Sequence, residues 1–475
     1  MTTHTIQHPS QQVKHITTSP HLGGLGGFGR VLTLFLCLLI ALSADAKSKK
    51  TKLQQELWPD GTPMDAWFND TTKVAPATLG QQYVITDFGC QNDSTVLQTE
   101  KIQAVIDMVA NDGGGVIVVP KGTFLSGPLF FKQGTHLWMQ EGARLKAIDA
   151  IKYYPVSKTR IEGQTRNYFC AFINADGLDG FTIGGKGTID GNGLRFWEEF
   201  WVRRKFNPQC TNVDAMRYRL VYISNCTNVT VQDVRLINSP FWTNHIYNSS
   251  RVKYLGCYIY APTSGIGAYG DKSHGGPSTD AIDIDKCHDF MVNNCYMNVN
   301  DDAVVLKGGK GTWADQDETN GPCYNIVVQN CNYGKVHGCL TLGSESLHDW
   351  NIIFRNNTFS DANRVIWLKM RPDTPQHYEK IRLENLSGNT RSFLVVRPWT
   401  QFFKPENRPD MPLSECNDIT IRNINVTTQN FFDVGTSDKY KLSRFTFQNC
   451  TVRDKKKAFD PNLIEGTVAE NMNIQ

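Results

Sequence analysis

The sequence lacks any apolar stretch long enough to cross a bilayer comfortably, any long block of one charge, and any Pro/Ser/Gly-rich linker. Its longest leading apolar run, Val31 to Leu42, falls short of the ~20 residues a spanning helix needs. Lys and Arg number 49 against 46 acids, a formal charge of +3. So near-neutral a balance gives no basis for nucleic-acid binding. The small basic segments Lys47–Lys52 and Lys455–Lys457 read as solvated ends. No Cys-x-x-Cys pair or Cys/His grouping makes a plausible metal site, so neither a metal nor a cofactor is expected. Helical periodicity is missing outside one window, which excludes a helical bundle.

What the chain does have begins with a leader. Arg30 precedes the apolar run, and Ser43-Ala44-Asp45-Ala46 supplies an Ala-x-Ala cleavage pattern. Residues 1–46 therefore read as a secretory signal peptide, with export to the periplasm or cell exterior and no membrane attachment after cleavage. Cys37 follows Leu-Phe-Leu, without the small residue that a lipoprotein signal places before its cysteine. Of 13 cysteines, 12 lie beyond the leader, an even number that invites disulfides in an oxidising compartment. For Cys226, Cys295, Cys331 and Cys450 a different reading is favoured. Each follows an asparagine at the end of a β-like run, a placement that suits small buried side chains stacked coil upon coil.

The recurring unit is an apolar/polar alternation that usually ends in Asn-Cys or a near equivalent. It appears at 229–234, 252–257, 290–295, 326–331, 352–357, 381–386, 419–424 and 445–450, at intervals of 23 to 38 residues. A loose repeat of short strands predicts an all-β solenoid, a parallel β-helix, in which each thin coil is buried only by its neighbours. Asn suits the tight turn at each corner, so the Asn-x-Ser/Thr triplets at Asn225, Asn228, Asn425 and Asn449 read as turns rather than glycan sites. Upstream, Thr99 to Val109 places Ile102, Val105, Ile106 and Val109 on one face. This is a short capping helix over the open first coil. Strands are predicted after it at Val116–Val119, Phe124–Ser126 and His136–Met139. The expected layout is an N-terminal extension over 47–82, one β-helix domain over 83–460 and a C-terminal tail over 461–475, as a monomer.

The chemistry is concentrated between Ser278 and Gly309. Asp280, Asp283, Asp285, Asp301 and Asp302 lie in or beside the alternations Ile282/Ile284 and Val304/Leu306. The period of two sends the aliphatic residues inward and the acids outward. Asp280 and Asp302 are 22 residues apart, Asp302 and His337 are 35 apart, and His337 and Lys369 are 32 apart. Each interval is about one coil, so these side chains are expected on neighbouring rungs of one face, with Trp367 and Arg371 beside Lys369. Asp283 and Asp285 read as structural.

At this point the residues resemble a known family, the family 28 glycoside hydrolases, which include the polygalacturonases. Framework matches are Ile85-Thr-Asp-Phe-Gly, Gly113-Gly-Gly-Val-Ile-Val-Val-Pro, Gly187-Thr-Ile-Asp-Gly-Asn-Gly and Asn238-Ser-Pro-Phe-Trp-Thr. The catalytic set is matched at Ser278-Thr279-Asp280, Asn300-Asp301-Asp302, Val336-His337-Gly338 and Trp367-Leu368-Lys369. The resemblance implies a right-handed parallel β-helix, a pectic substrate and hydrolysis with inversion. It implies Asp301 as general acid, Asp280 and Asp302 as holders of the attacking water, and His337 as the group that orients the acid. Lys369 would bind the substrate carboxylate. Two departures are mild: Ser278 stands for the family's Asn, and Val336 for its first Gly. The third is larger, because Trp367 occupies the place of the arginine that grips the uronate. Either Arg371 replaces it, or the subsite takes another sugar, such as rhamnose or a branched pectic unit.

Inversion needs a protonated carboxyl and a carboxylate roughly 6.5–9.5 Å apart, with a water between. Crowding of three carboxyls is expected to raise at least one pKa and keep the acid's proton available. Trp367 is expected to offer a sugar-stacking face. Gly265–Gly276 and the loop 308–321 are expected to close one end of the cleft and favour attack from a chain end. Two other readings stand beside hydrolysis: a calcium-dependent polyuronate lyase with the aspartates as ligands, and a non-catalytic glycan-binding solenoid.

Overall fold

The strands that carry the repeated alternation stack in a single register. Val229, Phe290, Ile352, Ile419 and Phe445 belong to one column of paired positions that runs through the interior. All five are fully buried. The computed structural model describes residues 55–402 and 404–475, and the leader expected over 1–46 lies outside them. Among the described residues the main sheet has 28 strands, and its pairings are parallel throughout. The chain is a parallel β-helix. Successive coils bury one continuous apolar interior that no coil could form alone.

The corners follow from asparagine chemistry. Asn225, Asn228, Asn294, Asn330, Asn356, Asn385, Asn423 and Asn449 all adopt left-handed φ values between 54° and 57°. Asn tolerates this region better than other non-glycine residues. Their amides then bond from rung to rung: Asn385 donates to Asn356 at 2.9 Å, Asn423 to Asn385 at 3.0 Å and Asn449 to Asn423 at 3.2 Å. Asn425 differs from the expected turn: unlike Asn423 it is not among the left-handed residues, and it pairs with Ser387 and Thr451. The 12 described cysteines are all free and buried, so no disulfide forms among them, and all but Cys210 belong to the continuous apolar interior.

The helix Thr99–Asn111 buries Ile102, Val105, Ile106 and Val109 over the first coil, as the periodicity predicts. In the N-terminal extension, Trp58, Met64 and Phe68 pack on Leu255, Met291, Val327 and Ile353 and cover the outer face of those strands. The expected tail is not a tail throughout. Val468–Ile474 pairs in parallel with Thr446–Val452 as a last rung. Its polar composition hid it, because a terminal strand has only one neighbour to bury against. Two elements were not expected. One is the antiparallel hairpin Val156–Ile161/Gln164–Phe169. The other is the helix Leu194–Phe206, which buries Phe196, Trp197 and Phe200. No helix among the described residues is long and apolar enough to cross a membrane.

Candidate active site

Three short strands, Ile282–Asp285, Val304–Lys307 and Leu340–Leu342, and the longer strand Thr358–Met370 lie side by side. Ile282, Val304, Leu340 and Ile366 are partners on successive rungs. Asp280 and Asp302 each stand two residues before their rung's partner, where the chain turns into the strand. Backbone bonds fix that turn: the Ala281 N–H donates to the Asp302 carbonyl at 3.0 Å and the His337 N–H to the Asp301 carbonyl at 2.9 Å. Interior aliphatic residues therefore hold the acids in place through the main chain.

The register brings Asp280, Asp301, Asp302 and His337 together. One carboxylate oxygen of each aspartate lies within 4.8 Å of the others. The expected gap of roughly 6.5–9.5 Å is absent, because neighbouring rungs are only about 4.8 Å apart. His337 Nδ1 is 3.3 Å from Asp301 Oδ1. Lys369 arrives differently from expectation. Its rung's equivalent of Asp302 is Arg364, and Lys369 spans the offset with its flexible stem, placing Nζ 2.7 Å from Asp302 Oδ2. The other oxygen, Asp302 Oδ1, is buried with no hydrogen-bond partner.

Crowding acts on the proton, although at a different carboxyl from the one expected. Burial, then the charges of Asp301 and Asp283, push Asp280 well above the carboxylate range. Burial likewise pushes Asp283 up to about 8, although Lys307 opposes it. Asp301 moves the other way. Burial would raise it, but the hydrogen bond and charge of His337, aided by Lys369 and Lys307, hold it below its usual value. Burial would lower His337, yet its bond to Asp301 and the charges of Asp301 and Asp302 raise it. Asp301 and His337 thus hold a proton as a pair.

Asp280, Asp301 and His337 line a pocket of about 310 Å³, and Asp302 lies buried beside them. Trp367 lines it but is only 9% exposed. Arg364 and Lys369 lie 3.7 Å and 4.2 Å from its ring centre, and Trp399 meets it edge-on. The expected stacking face is largely occupied, and the half-buried Trp399 offers the more open ring. Arg371 also lines the pocket. Both arms of its guanidinium are taken by Asp373 at 2.7 Å, so it does not stand in for the family's arginine. Asp283 and Asp285 are fully buried: Asp283 lies 3.4 Å from Lys307 Nζ, and Asp285 binds Arg160 at 3.0 Å.

Other pocket residues were missed by sequence reasoning. The helix Leu194–Phe206 supplies Phe200, Trp201 and Arg204. Its signal was present as aromatic pairs four apart, Phe196/Phe200 and Trp197/Trp201, rather than the aliphatic pattern sought. Among the described residues Arg204 has no acidic partner, and its Nε is buried without a hydrogen bond. The hairpin tip at Glu162–Gly163 borders the pocket through Glu162. A Cβ on Gly163 would lie 2.7 Å from Glu345 Cβ, and Lys310 pairs with Glu162 at 3.6 Å. Of the two expected walls, the loop 308–321 contributes Lys310 to the pocket. The Gly265–Gly276 loop packs on the helix through His274, stacked on Trp201, and Gly275, whose carbonyl accepts from Trp201 at 2.9 Å.

The comparisons with known proteins agree with this geometry. A grape (Vitis vinifera) protein named "Probable polygalacturonase" is 25% identical over 272 residues, 55% of this chain and 51% of its own length. The chain thus spans about half of that relative. An endo-polygalacturonase of Pectobacterium carotovorum subsp. carotovorum is 24% identical over 334 residues, 69% of this chain and 76% of its own. Among solved structures, the hyperthermoactive exopolygalacturonase of Thermotoga maritima superposes with a TM-score of 0.60 at 21% identity, covering 79% of this chain and 88% of that one. The Yersinia enterocolitica family 28 exopolygalacturonase gives 0.64 at 18% identity, covering 83% and 78%. At these identities the structural matches establish the fold. The family model described as "Glycosyl hydrolases family 28" matches residues 115–463, and on that span this chain belongs to family 28 of the glycosyl hydrolases.

Proposed function

We propose that this protein is an exported hydrolase that releases galacturonate-containing units from the ends of pectic chains by a single displacement. The observation that carries the reading is the Asp280–Asp301–Asp302 cluster at the wall of one pocket, with His337 on Asp301 and Lys369 on Asp302. Asp301 delivers to the leaving oxygen the proton it shares with His337. Asp302, gripped at Oδ2 by Lys369, accepts the water's proton through its unpartnered Oδ1. Asp280, protonated and 5% exposed, fixes the water between the rungs. Taken alone, the short separation would suit a retaining pair. Against a covalent intermediate stand the pairing of Asp301 with His337 and of Asp302 with Lys369, and three carboxyls allow two to serve the water while the third protonates.

Attack from a chain end is supported by the hairpin tip at Glu162–Gly163, which packs against Glu345 and borders the pocket. For the substrate, Arg204 is the pocket cation free to take a uronate carboxylate. The more open ring of Trp399, beside Trp367 where the family has an arginine, suits a neighbouring sugar with an apolar face, as in rhamnose-containing pectin. The experiment is a product profile on homogalacturonan and rhamnogalacturonan oligomers, with the anomer of the first product read by NMR. Inverted monomer or dimer from chain ends supports the proposal. A retained anomer would overturn the single displacement, and mid-chain cleavage would overturn the end attack.

The lyase reading fits the donor set poorly. Ca²⁺ seeks six to eight oxygens, whereas His337 and Lys369 already share the carboxylates that would bind it. An unsaturated product lost on chelation would reinstate that reading. A purely glycan-binding role would be upheld if the wild type released no reducing sugar.

A further inference from the structure

Away from the pocket, the outer face carries a column of stacked rings that ends in two histidines and two carboxylates. His348, His377 and Glu415 are register partners on three successive strands, and Glu379 is the partner of Asn417. None of them lines the pocket. His348 Nε2 lies 3.0 Å and His377 Nε2 3.8 Å from the same oxygen, Glu379 Oε1, and Glu415 Oε2 lies 4.0 Å from His377 Nε2.

We propose that His348, His377 and Glu379, with Glu415 as the fourth ligand, form a binding site for a divalent transition-metal ion of the Zn²⁺ kind, which clamps three consecutive rungs. Zn²⁺ bonds imidazole nitrogen and carboxylate oxygen at about 2.0–2.2 Å, so tetrahedral ligand atoms sit about 3.3 Å from one another. The observed 3.0 Å and 3.8 Å straddle that edge. The longer one closes with a modest turn of His377, whose side chain is 36% exposed and whose outer torsion is soft. Two imidazoles with carboxylates select a borderline metal over Ca²⁺ or Mg²⁺, which seek oxygen alone. His348 and His377 stack 4.7 Å apart with planes 6° from parallel, so the turn of His377 also brings its in-plane Nε2 lone pair toward an ion held by His348, which rests 4.4 Å from Trp350.

A second observation points to a missing ligand. Asn417 is 4% exposed, and its Nδ2 lies 3.2 Å from His377 Nε2, yet its Oδ1 is buried with no hydrogen-bond partner. Buried amide oxygens are rarely left unpaired. The Nδ2 of the same amide faces two of the ligands, 3.2 Å from His377 Nε2 and 3.4 Å from Glu415 Oε2. The absence of cysteine motifs had argued against a metal. The site escapes that argument because its ligands are spread over 67 residues of sequence and meet only through the rung register.

The test is calorimetric titration of the full chain, stripped with chelator, with ZnCl₂ alone, alongside thermal melts with and without the metal. One saturable site and a rise in Tm are expected. His348→Ala/His377→Ala should lower affinity by more than about 100-fold and Asn417→Ala by about 10-fold. Glu379→Gln, close to isosteric, gives the same loss of affinity should the double variant fold poorly. Saturable binding absent below millimolar Zn²⁺ overturns the proposal. So does binding that survives the double variant and disappears in Asp301→Asn, which would put the ion on the catalytic carboxylates.

Discussion

Lys369 Nζ donates to Asp302 Oδ2 at 2.7 Å, and Asp302 is 1% exposed. In the proposed mechanism the lysine therefore holds the carboxylate that accepts the water's proton. Lys369→Met leaves a buried charge unpaired, a change that typically costs about 3–5 kcal/mol. Urea unfolding should show that loss.

His337→Gln removes the cation that keeps Asp301 low and its proton shared. A fall in kcat on the order of 10²–10⁴-fold is expected. The sign of the wild-type pH dependence follows from the raised His337 pKa. Its stabilising charge is fully present below the ordinary histidine value and is lost as pH rises through the raised one. Activity should fall along that basic limb. In the Gln variant the limb should be gone, which a pH series of kcat/KM would read.

Gly338 has no room for a side chain. A Cβ there would lie 2.3 Å from Thr341 Oγ1 and 3.0 Å from Asp302 Oδ1. Gly338→Ala should push Asp302 off the water and lower kcat with little change in KM, because the pocket's binding walls are untouched. An unchanged kcat would remove Asp302 Oδ1 from the mechanism.

Arg204→Met tests the uronate contact. Charged hydrogen bonds contribute about 1.5–3 kcal/mol, so kcat/KM should drop on the order of 10–100-fold, mainly through KM. The same variant assayed on a carboxyl-reduced oligosaccharide should match the wild type. Equal losses on both substrates would assign Arg204 to packing on Phe200, where its guanidinium already rests.

Because the 12 described cysteines are free and buried, dithiothreitol should leave the thermal midpoint unchanged. A drop on reduction, seen in a pair of melting curves, would reveal a disulfide.

The fold was legible because its signals are local. Ile282/Ile284, Val304/Leu306 and Leu340/Leu342 alternate with period two, and the asparagines mark the corners. Anchoring on those repeats placed the interior column residue by residue. Asp280, Asp301, Asp302 and His337 were legible for the same reason, since each precedes a strand at an interval of one coil. The final rung, Val468–Ile474, was not legible, because an end strand needs little apolar residue.

The sequence by itself determined that thin coils must stack and that their acids would fall on one face, since side-chain direction in a strand is set by position alone. Only the tertiary structure decided what those acids meet. Lys369 reaches Asp302 across an offset, Asp373 engages the guanidinium of Arg371, Arg364 covers Trp367, and a helix nearly 80 residues upstream of Asp280 brings Arg204. Those pairings depend on how long side chains and inserted loops pack between rungs, and no periodicity along the chain encodes that.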